Sequence, residues 1–185
     1  MPDGIKASGR PRNRWSAAMW GGAALLLLLP WVAMRFTDEV DWTAMDFATF
    51  GTMLLLACGA YELAARSHGD RMYRAGAALA VAGGFFLVWV NLAVGIIGSE
   101  RNPANLMFAG VLAVAIVGPA VARGRPRGMA YAMFATALAQ ATVGVLALVG
   151  GSGDALRLVA LTGFFVAIWL GAAALFRMAA REPAR

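Results

Sequence analysis

Two carboxylates lie within one apolar stretch of the sequence and are the first residues to consider for chemistry. An ionisable side chain in a membrane-spanning segment usually has a functional or an interfacial role, and Asp46 and Glu62 are in that position. Sixteen residues separate them, which is about 24 Å along a helix, so they cannot act together as an acid/base pair. Arg66 follows Glu62 by four residues, which predicts an ion pair at the membrane interface. A proton-relay role for Glu62 is the alternative.

Further acidic residues lie in the connections on one side of the predicted membrane. Several carboxylates at one mouth of a membrane protein attract cations, which predicts an outward acidic mouth. Its members are Asp38, Glu39, Asp41, Asp46 and Glu100, with Asp154 in the last connection on the same side. The alternative is that acidic residues simply occupy the side from which arginine is excluded.

Uncharged polar residues recur inside four apolar runs at similar depth, roughly 10–15 Å from one membrane face. They form a candidate polar layer of Thr52, Asn91, Gln140 and Thr162. We expect Asn91 and Gln140 to face the bundle interior and to approach each other. Hydrogen bonds between helices would make this layer structural glue. A cavity for water or substrate is the alternative.

Residue types that serve most catalytic and cofactor sites are scarce. The sequence has one cysteine, Cys58, and one histidine, His68. An intramolecular disulfide and a bis-histidine haem site within one chain are therefore excluded. We assign no catalytic residue, no metal ligand and no cofactor.

The elements that would position these residues are membrane-spanning helices. Of the 185 residues, 61% are hydrophobic and 14% are charged, which leaves too little polar surface for a soluble domain. A span needs about 20 apolar residues, and six runs qualify, at 15–34, 44–64, 75–98, 104–122, 128–150 and 155–176. The predicted fold is all-α, a polytopic transmembrane helical bundle of six spans.

Three regions are predicted: a disordered basic cytoplasmic tail at 1–14, a six-helix transmembrane domain at 15–178 and a short cytoplasmic tail at 179–185. The first run also resembles a secretory signal peptide, but it is longer than the usual apolar region and lacks a clean cleavage site, which favours its retention. Asn102 and Pro103 predict a helix start, with Asn102 as the cap.

Lysine and arginine are distributed unequally between the connections. Thirteen of the sixteen lie in the N-terminal tail, the second and fourth connections and the C-terminus, whereas the other connections hold Arg35, Arg101 and Arg157. The positive-inside rule therefore places both termini in the cytoplasm. The net charge of +6 follows from this arrangement and not from a basic stripe with interleaved aromatic residues, so we expect no nucleic-acid partner.

Small residues recur every four positions on two of the runs, a spacing typical of faces where membrane helices approach closely. The two predicted packing faces are Gly163, Ala167 and Gly171 on the sixth run, and Gly76, Ala80 and Gly84 on the third.

Two stretches, AMRFTDEVDWTAMDF at 33–47 and WVNLAVGIIGSERNPANLM at 89–107, followed by GMAYAMFATALAQA at 128–141, resemble a group of small bacterial inner-membrane proteins of unassigned activity. The resemblance covers about residues 23 to 148. It implies a multi-pass protein of the bacterial inner membrane, and it carries over no functional residue.

Three classes of function remain open. A small transporter or channel would use the polar layer and the acidic mouth. An accessory or assembly subunit would use its helix faces to bind a larger membrane complex. A membrane enzyme would need clustered nucleophiles, metal ligands or paired carboxylates, which the sequence does not show. The expected partners are the lipid bilayer and either further copies of the chain in a homo-oligomer or a larger membrane complex.

Overall fold

A computed structural model of the protein describes residues 14–68, 70–151 and 153–181, and these residues contain helices and no strand. The long helices are α1 (Arg14–Ala33), α2 (Ala44–Ser67), α3 (Arg71–Ala93), α4 (Met107–Ala122), α5 (Pro126–Val149) and α6 (Ala155–Ala179), with a short 3₁₀ helix at Pro103–Leu106 directly before α4. Six segments of the described chain are long and apolar enough to cross a membrane. The prediction of an all-helical chain with six helices of spanning length is confirmed, and it indicates a multi-pass membrane protein.

Five of the six predicted runs match the observed helices to within three residues at each end. The third differs, because α3 begins at Arg71 and not at 75, and ends at Ala93 and not at 98. Its early start follows from the carboxylate of Asp70, which accepts hydrogen bonds from the backbone N–H groups of Met72 and Tyr73 at 3.2 and 3.0 Å. Asn102 caps the 3₁₀ helix at the backbone N–H of Ala104, so the predicted helix start is confirmed.

The two predicted tails lie almost wholly outside the described residues. Residues 1–13 and 182–185 are not described, so the disorder predicted for the tails stays a prediction. The described helices α1 and α6 begin and end within one residue of the predicted domain limits.

The chain divides into two units, one up to Glu62 and one from Leu63 onward. The first unit contains α1 and most of α2 and is called the hairpin here. Its α2 has a buried stripe of Phe50, Leu54 and Cys58, one turn apart from each other, whereas none of residues 16–33 in α1 is buried. The Leu27 side chain lies beside Gly51, 3.7 Å from the position that a Cβ would occupy there.

The second unit is a bundle of α3, α4, α5 and α6. Helix α6 packs against both α3 and α5, and α4 packs against α5. The largest fully buried side chains include four aromatic residues of these helices, Trp169, Tyr73, Phe108 and Phe165. The core of this unit is therefore built mainly around α6.

Glycines let α3 approach α6 closely at two levels. A Cβ at Gly76 would lie 3.3 Å from the Phe176 ring, and one at Gly83 would lie 2.7 Å from Ile168 Cγ2 and 3.3 Å from the Trp169 ring. The two glycines are seven residues apart, as are the two aromatic residues, which is the repeat of antiparallel helices packed knobs-into-holes. Gly84 of the predicted four-residue face has no atom of another helix of the described chain within 4 Å of its Cβ position, so its packing role stays a prediction.

On the other predicted face, one of the three residues packs against another helix of the described chain. Gly171 contacts α3, where Leu79 lies 3.1 Å from its Cβ position, but Gly163 and Ala167 are exposed in the described chain. Small residues four positions apart do pack within the bundle where α4 meets α5. A Cβ at Gly118 would lie 2.7 Å from Ala132 Cβ, and one at Gly128 would lie 2.7 Å from Ala122 Cβ.

Adjacent glycines of α3 provide a matched test of this packing. Gly83→Ala should lower the midpoint of thermal unfolding in detergent, because the new methyl group would overlap Ile168. Gly84→Ala should leave the midpoint unchanged or raise it, because alanine favours a helix over glycine by up to about 1 kcal/mol. Equal effects of the two substitutions would contradict the α3–α6 interface described here.

Candidate functional site

Gln140 is the most unusual side chain of the bundle. It lies on α5, it is 0% exposed, and neither its Nε2 nor its Oε1 has a hydrogen-bond partner among the described residues. Thr136, one turn earlier on the same helix, is also 0% exposed, but its hydroxyl donates to the carbonyl oxygen of Ala132 at 2.9 Å. A buried threonine can use its own helix in this way, whereas the Gln140 amide has not done so.

Besides Nδ1 of His68 in the connection before α3, three other polar groups, on the helices of the bundle, are buried and unpartnered within the described chain. They are Oδ1 of Asn91 on α3, Oγ1 of Thr162 on α6 and Nε1 of Trp169 on α6. The other amide atom of Asn91, Nδ2, donates to the Leu87 carbonyl oxygen of its own helix at 2.8 Å. Asn91 therefore has a free acceptor, Trp169 a free donor, and Thr162 and Gln140 can do both.

The helix contacts place these four groups at neighbouring levels of α3, α5 and α6. Thr162 lies against Gly144 of α5, with its Oγ1 2.9 Å from the Cβ position of that glycine, and Gln140 is one turn away from Gly144. Trp169 is two turns beyond Thr162, about 10 Å along α6. Because Gly83 faces Trp169 and α3 is antiparallel to α6, Asn91 lies near the level of Thr162. We call Asn91, Thr162, Gln140 and Trp169 the polar column.

An apolar loop follows α3 at the Asn91 end of the column. Its residues Ile96 and Ile97 are only 2% and 0% exposed, although residues 94–98 are not helical. Gly95 and Gly98, with φ of +67° and +70°, turn the chain in a conformation that favours glycine. The bundle is therefore covered at this end by apolar side chains on irregular backbone.

Asn105 fixes the backbone of this loop. Its Oδ1 accepts from the N–H groups of Ile96 and Ile97 at 3.1 and 2.9 Å, and its Nδ2 donates to the carbonyl oxygens of Ile97 and Ser99 at 3.3 and 2.7 Å. One side chain thus serves four backbone groups. Such groups would otherwise be unpaired next to an apolar core.

Arg157 of α6 holds the end of α3. One guanidinium nitrogen donates to the carbonyl oxygens of Val94 and Gly95 at 3.2 and 2.8 Å. The cation lies where the helix dipole of α3 is negative, which strengthens the contact. From the sequence, Arg157 was only one of three arginines on the arginine-poor side, and Asn105 was not singled out. The backbone carbonyl groups at the end of a helix that runs into a glycine-rich loop need hydrogen-bond donors. This need is the sequence signal that could have identified Arg157 and Asn105.

No protein-family model matches the chain, and no curated protein or solved structure is significantly similar to it.

The residues of the predicted polar layer fall in both units of the chain, so the layer as a whole stays a prediction. Thr52 belongs to the hairpin and is exposed, while Asn91, Gln140 and Thr162 belong to the bundle. Both amide atoms of Gln140 and the Oδ1 of Asn91 lack a hydrogen-bond partner in the described chain. The two side chains are therefore not hydrogen-bonded to each other. Trp169 of α6 was not a member of the predicted layer. It joins the group through its indole N–H.

The residues of the predicted acidic mouth are all exposed. Asp46 has a structural role, since its Oδ2 accepts from the backbone N–H and hydroxyl of Thr43 at 2.8 and 2.7 Å, and together they form a capping box at the start of α2. Asp154 likewise caps α6. Glu100 faces the neighbouring Arg101 at 3.7 Å. Among the described residues, no three acidic, histidine or cysteine side chains could hold a metal ion together.

Glu62 joins the two helices of the hairpin. Its carboxylate accepts from the hydroxyl of Ser16 and the indole N–H of Trp20, both at 3.2 Å. These α1 partners were not predicted. The ion pair of Glu62 with Arg66 stays a prediction.

His68 and the buried Tyr73 form an aromatic contact at the opposite end of the bundle. Their rings stack with centroids 4.1 Å apart, and the Tyr73 ring meets Phe176 edge-on at 5.1 Å. Gly124, with φ of +71°, lets the α4–α5 turn lie over the pair. This contact joins the α2–α3 and α4–α5 connections to α3 and α6 and gives His68 a packing role.

The stability of a Gln140 variant distinguishes a structural role of the polar column from a ligand-binding role. Gln140→Leu should leave the free energy of unfolding in detergent unchanged or raise it by about 1–3 kcal/mol, because it removes a buried amide with no protein partner. Thr136→Val is the control, because it removes a buried hydroxyl that already has a partner, and it should change stability little. A loss at Gln140→Leu similar to a core truncation, about 2–5 kcal/mol, would show that the amide is structural.

Proposed function

We propose that the protein is a small transporter or channel of the bacterial inner membrane, whose bundle of α3 to α6 passes a small polar solute. The observation that carries this proposal is the polar column. Four buried polar groups on three helices lack partners in the described chain, at a depth where lipid supplies none.

The energetics favour a bound solute over structural glue. An unpartnered polar group in an apolar surrounding costs roughly 2–7 kcal/mol, whereas a hydrogen bond between membrane helices contributes only about 0.6 kcal/mol on average. Glue requires that the groups bond to each other. The column groups do not do so, so a molecule that enters the column is what would satisfy them.

Orientation and location complete the proposal. The excess of lysine and arginine in the tails, the second connection and the fourth connection supports a topology with both termini in the cytoplasm. The apolar loop at 94–98 and Arg157 then lie at the outer end of the column. The resemblance of residues 33–47 and 89–107 to small bacterial inner-membrane proteins supports the location. The acidic mouth stays a prediction that the proposal does not require.

An accessory or assembly subunit of a larger membrane complex is the second candidate function. It is favoured by Gly163 and Ala167, which have the spacing of a helix-packing face but are exposed in the described chain. Purification in a mild detergent distinguishes the two functions. A transporter should be isolated alone or with copies of itself, whereas a subunit should bring a stable partner.

The proposed topology is testable by cysteine labelling in a Cys58→Ala background. Because arginine-rich connections remain in the cytoplasm, an impermeant maleimide added to intact cells should label a cysteine at position 100 and not one at position 125. Labelling of position 125 after membrane disruption is the control for its reactivity. Labelling of position 125 from outside intact cells would contradict the orientation.

The proposed transport is testable in vesicles that contain the purified protein. The rates of water, glycerol, urea, potassium and chloride flux should be compared for wild type, Gln140→Leu and Thr136→Val. At least one flux should exceed that of protein-free vesicles, persist in Thr136→Val and fall in Gln140→Leu. If Gln140→Leu changes no flux, the proposed function is wrong.

A further inference from the structure

We infer that the polar column takes an uncharged molecule that both donates and accepts hydrogen bonds, which means water or a small solute with hydroxyl or amide groups. This inference rests on the proposed function and names its substrate class. Ions are excluded as the preferred substrate by the three observations that follow.

The first observation is that the middle of the bundle has no charged residue. Residues 75–93 of α3, all of α4, residues 128–149 of α5 and residues 158–176 of α6 contain no aspartate, glutamate, lysine, arginine or histidine. An ion taken from water into such a place needs an opposite charge or a full shell of ligands. The sequence provides no opposite charge at this depth.

The second observation is the number and type of free polar atoms. The column has three free side-chain oxygens, on Asn91, Gln140 and Thr162, whereas hard cations such as calcium need six or more. Helical carbonyl oxygens are already used within their helices. A cation would therefore be poorly coordinated, and an anion would meet acceptors as well as donors.

The third observation is that the column presents both hydrogen-bond donors and acceptors. Asn91 presents only an acceptor, since its Nδ2 is bonded to Leu87, while Trp169 presents only a donor. Between these two, Thr162 and Gln140 can each present both. A molecule that bonds to several of these groups in turn must itself donate and accept, as water, hydroxyl and amide groups do.

The loop at one end of the column fits the same substrate class. Ile96 and Ile97 cover this end with apolar side chains that are almost fully buried. An ion would have to lose its hydration beside them, which is far more costly than the loss of water from a small neutral solute. The polar groups begin only below this apolar layer.

The experiment uses vesicles with the full-length protein and three uncharged probes. Stopped-flow light scattering reports water under a sucrose gradient, and glycerol or urea under their own gradients, while potassium and chloride are followed with fluorescent indicators. We expect wild type and Thr136→Val to pass at least one uncharged probe faster than protein-free vesicles. Gln140→Leu should lose this flux, and neither ion should move faster than in protein-free vesicles.

A second variant tests the column in case Gln140→Leu does not fold. Trp169→Phe removes the indole donor together with the part of the ring that lies against Gly83, so it should lower the flux of the uncharged probe, and its thermal unfolding in detergent is measured to check that the fold is retained. Water flux without glycerol or urea flux would identify water as the substrate, and flux of either solute would identify a hydroxyl or amide compound. Potassium or chloride flux that depends on Gln140 would overturn the inference but leave transport intact. The absence of any Gln140-dependent flux would overturn the proposed function as well.

Discussion

A membrane interior contains no water to satisfy polar groups, so every buried donor and acceptor must find its partner inside the protein. The bundle meets this constraint at its helix ends. Asp70 and Asp154 cap α3 and α6, and Asn105 serves four backbone groups of the irregular loop after α3. Against that background, the unpartnered groups of the polar column are an exception. Their position on three helices of one bundle is what gives them functional meaning.

Close packing of small residues makes the column possible. Gly83 admits the Trp169 ring, and Gly144 admits Thr162, so these two polar side chains of α6 are set by glycines on its two neighbours. A larger residue at either glycine would displace the polar side chain opposite it. The same contacts that hold α6 in place therefore also define the site. A change in packing and a change in function are coupled here through a few contacts.

The sequence predicted the helices well because apolar runs of spanning length leave little choice of structure. It failed where apolar residues form a loop. Residues 94–98 look like a continuation of α3, and only the positive φ of Gly95 and Gly98 and the bonds from Asn105 end the helix. Packing faces were also hard to predict. Lipid is as apolar as a protein core, so small residues at Gly163 and Gly83 look alike in sequence although only Gly83 is packed.

The central claim is that a polar molecule occupies the column at Gln140. Gln140 is the only glutamine in the sequence, so selective ¹⁵N labelling of glutamine side chains gives a single amide signal. Water-edited solid-state NMR of the labelled protein in lipid vesicles measures magnetisation transfer from water to that amide. Rapid transfer to the Gln140 Nε2 protons, as strong as that to an exposed amide, is the predicted result. Transfer as slow as that to the helix backbone of the surrounding core would contradict the account.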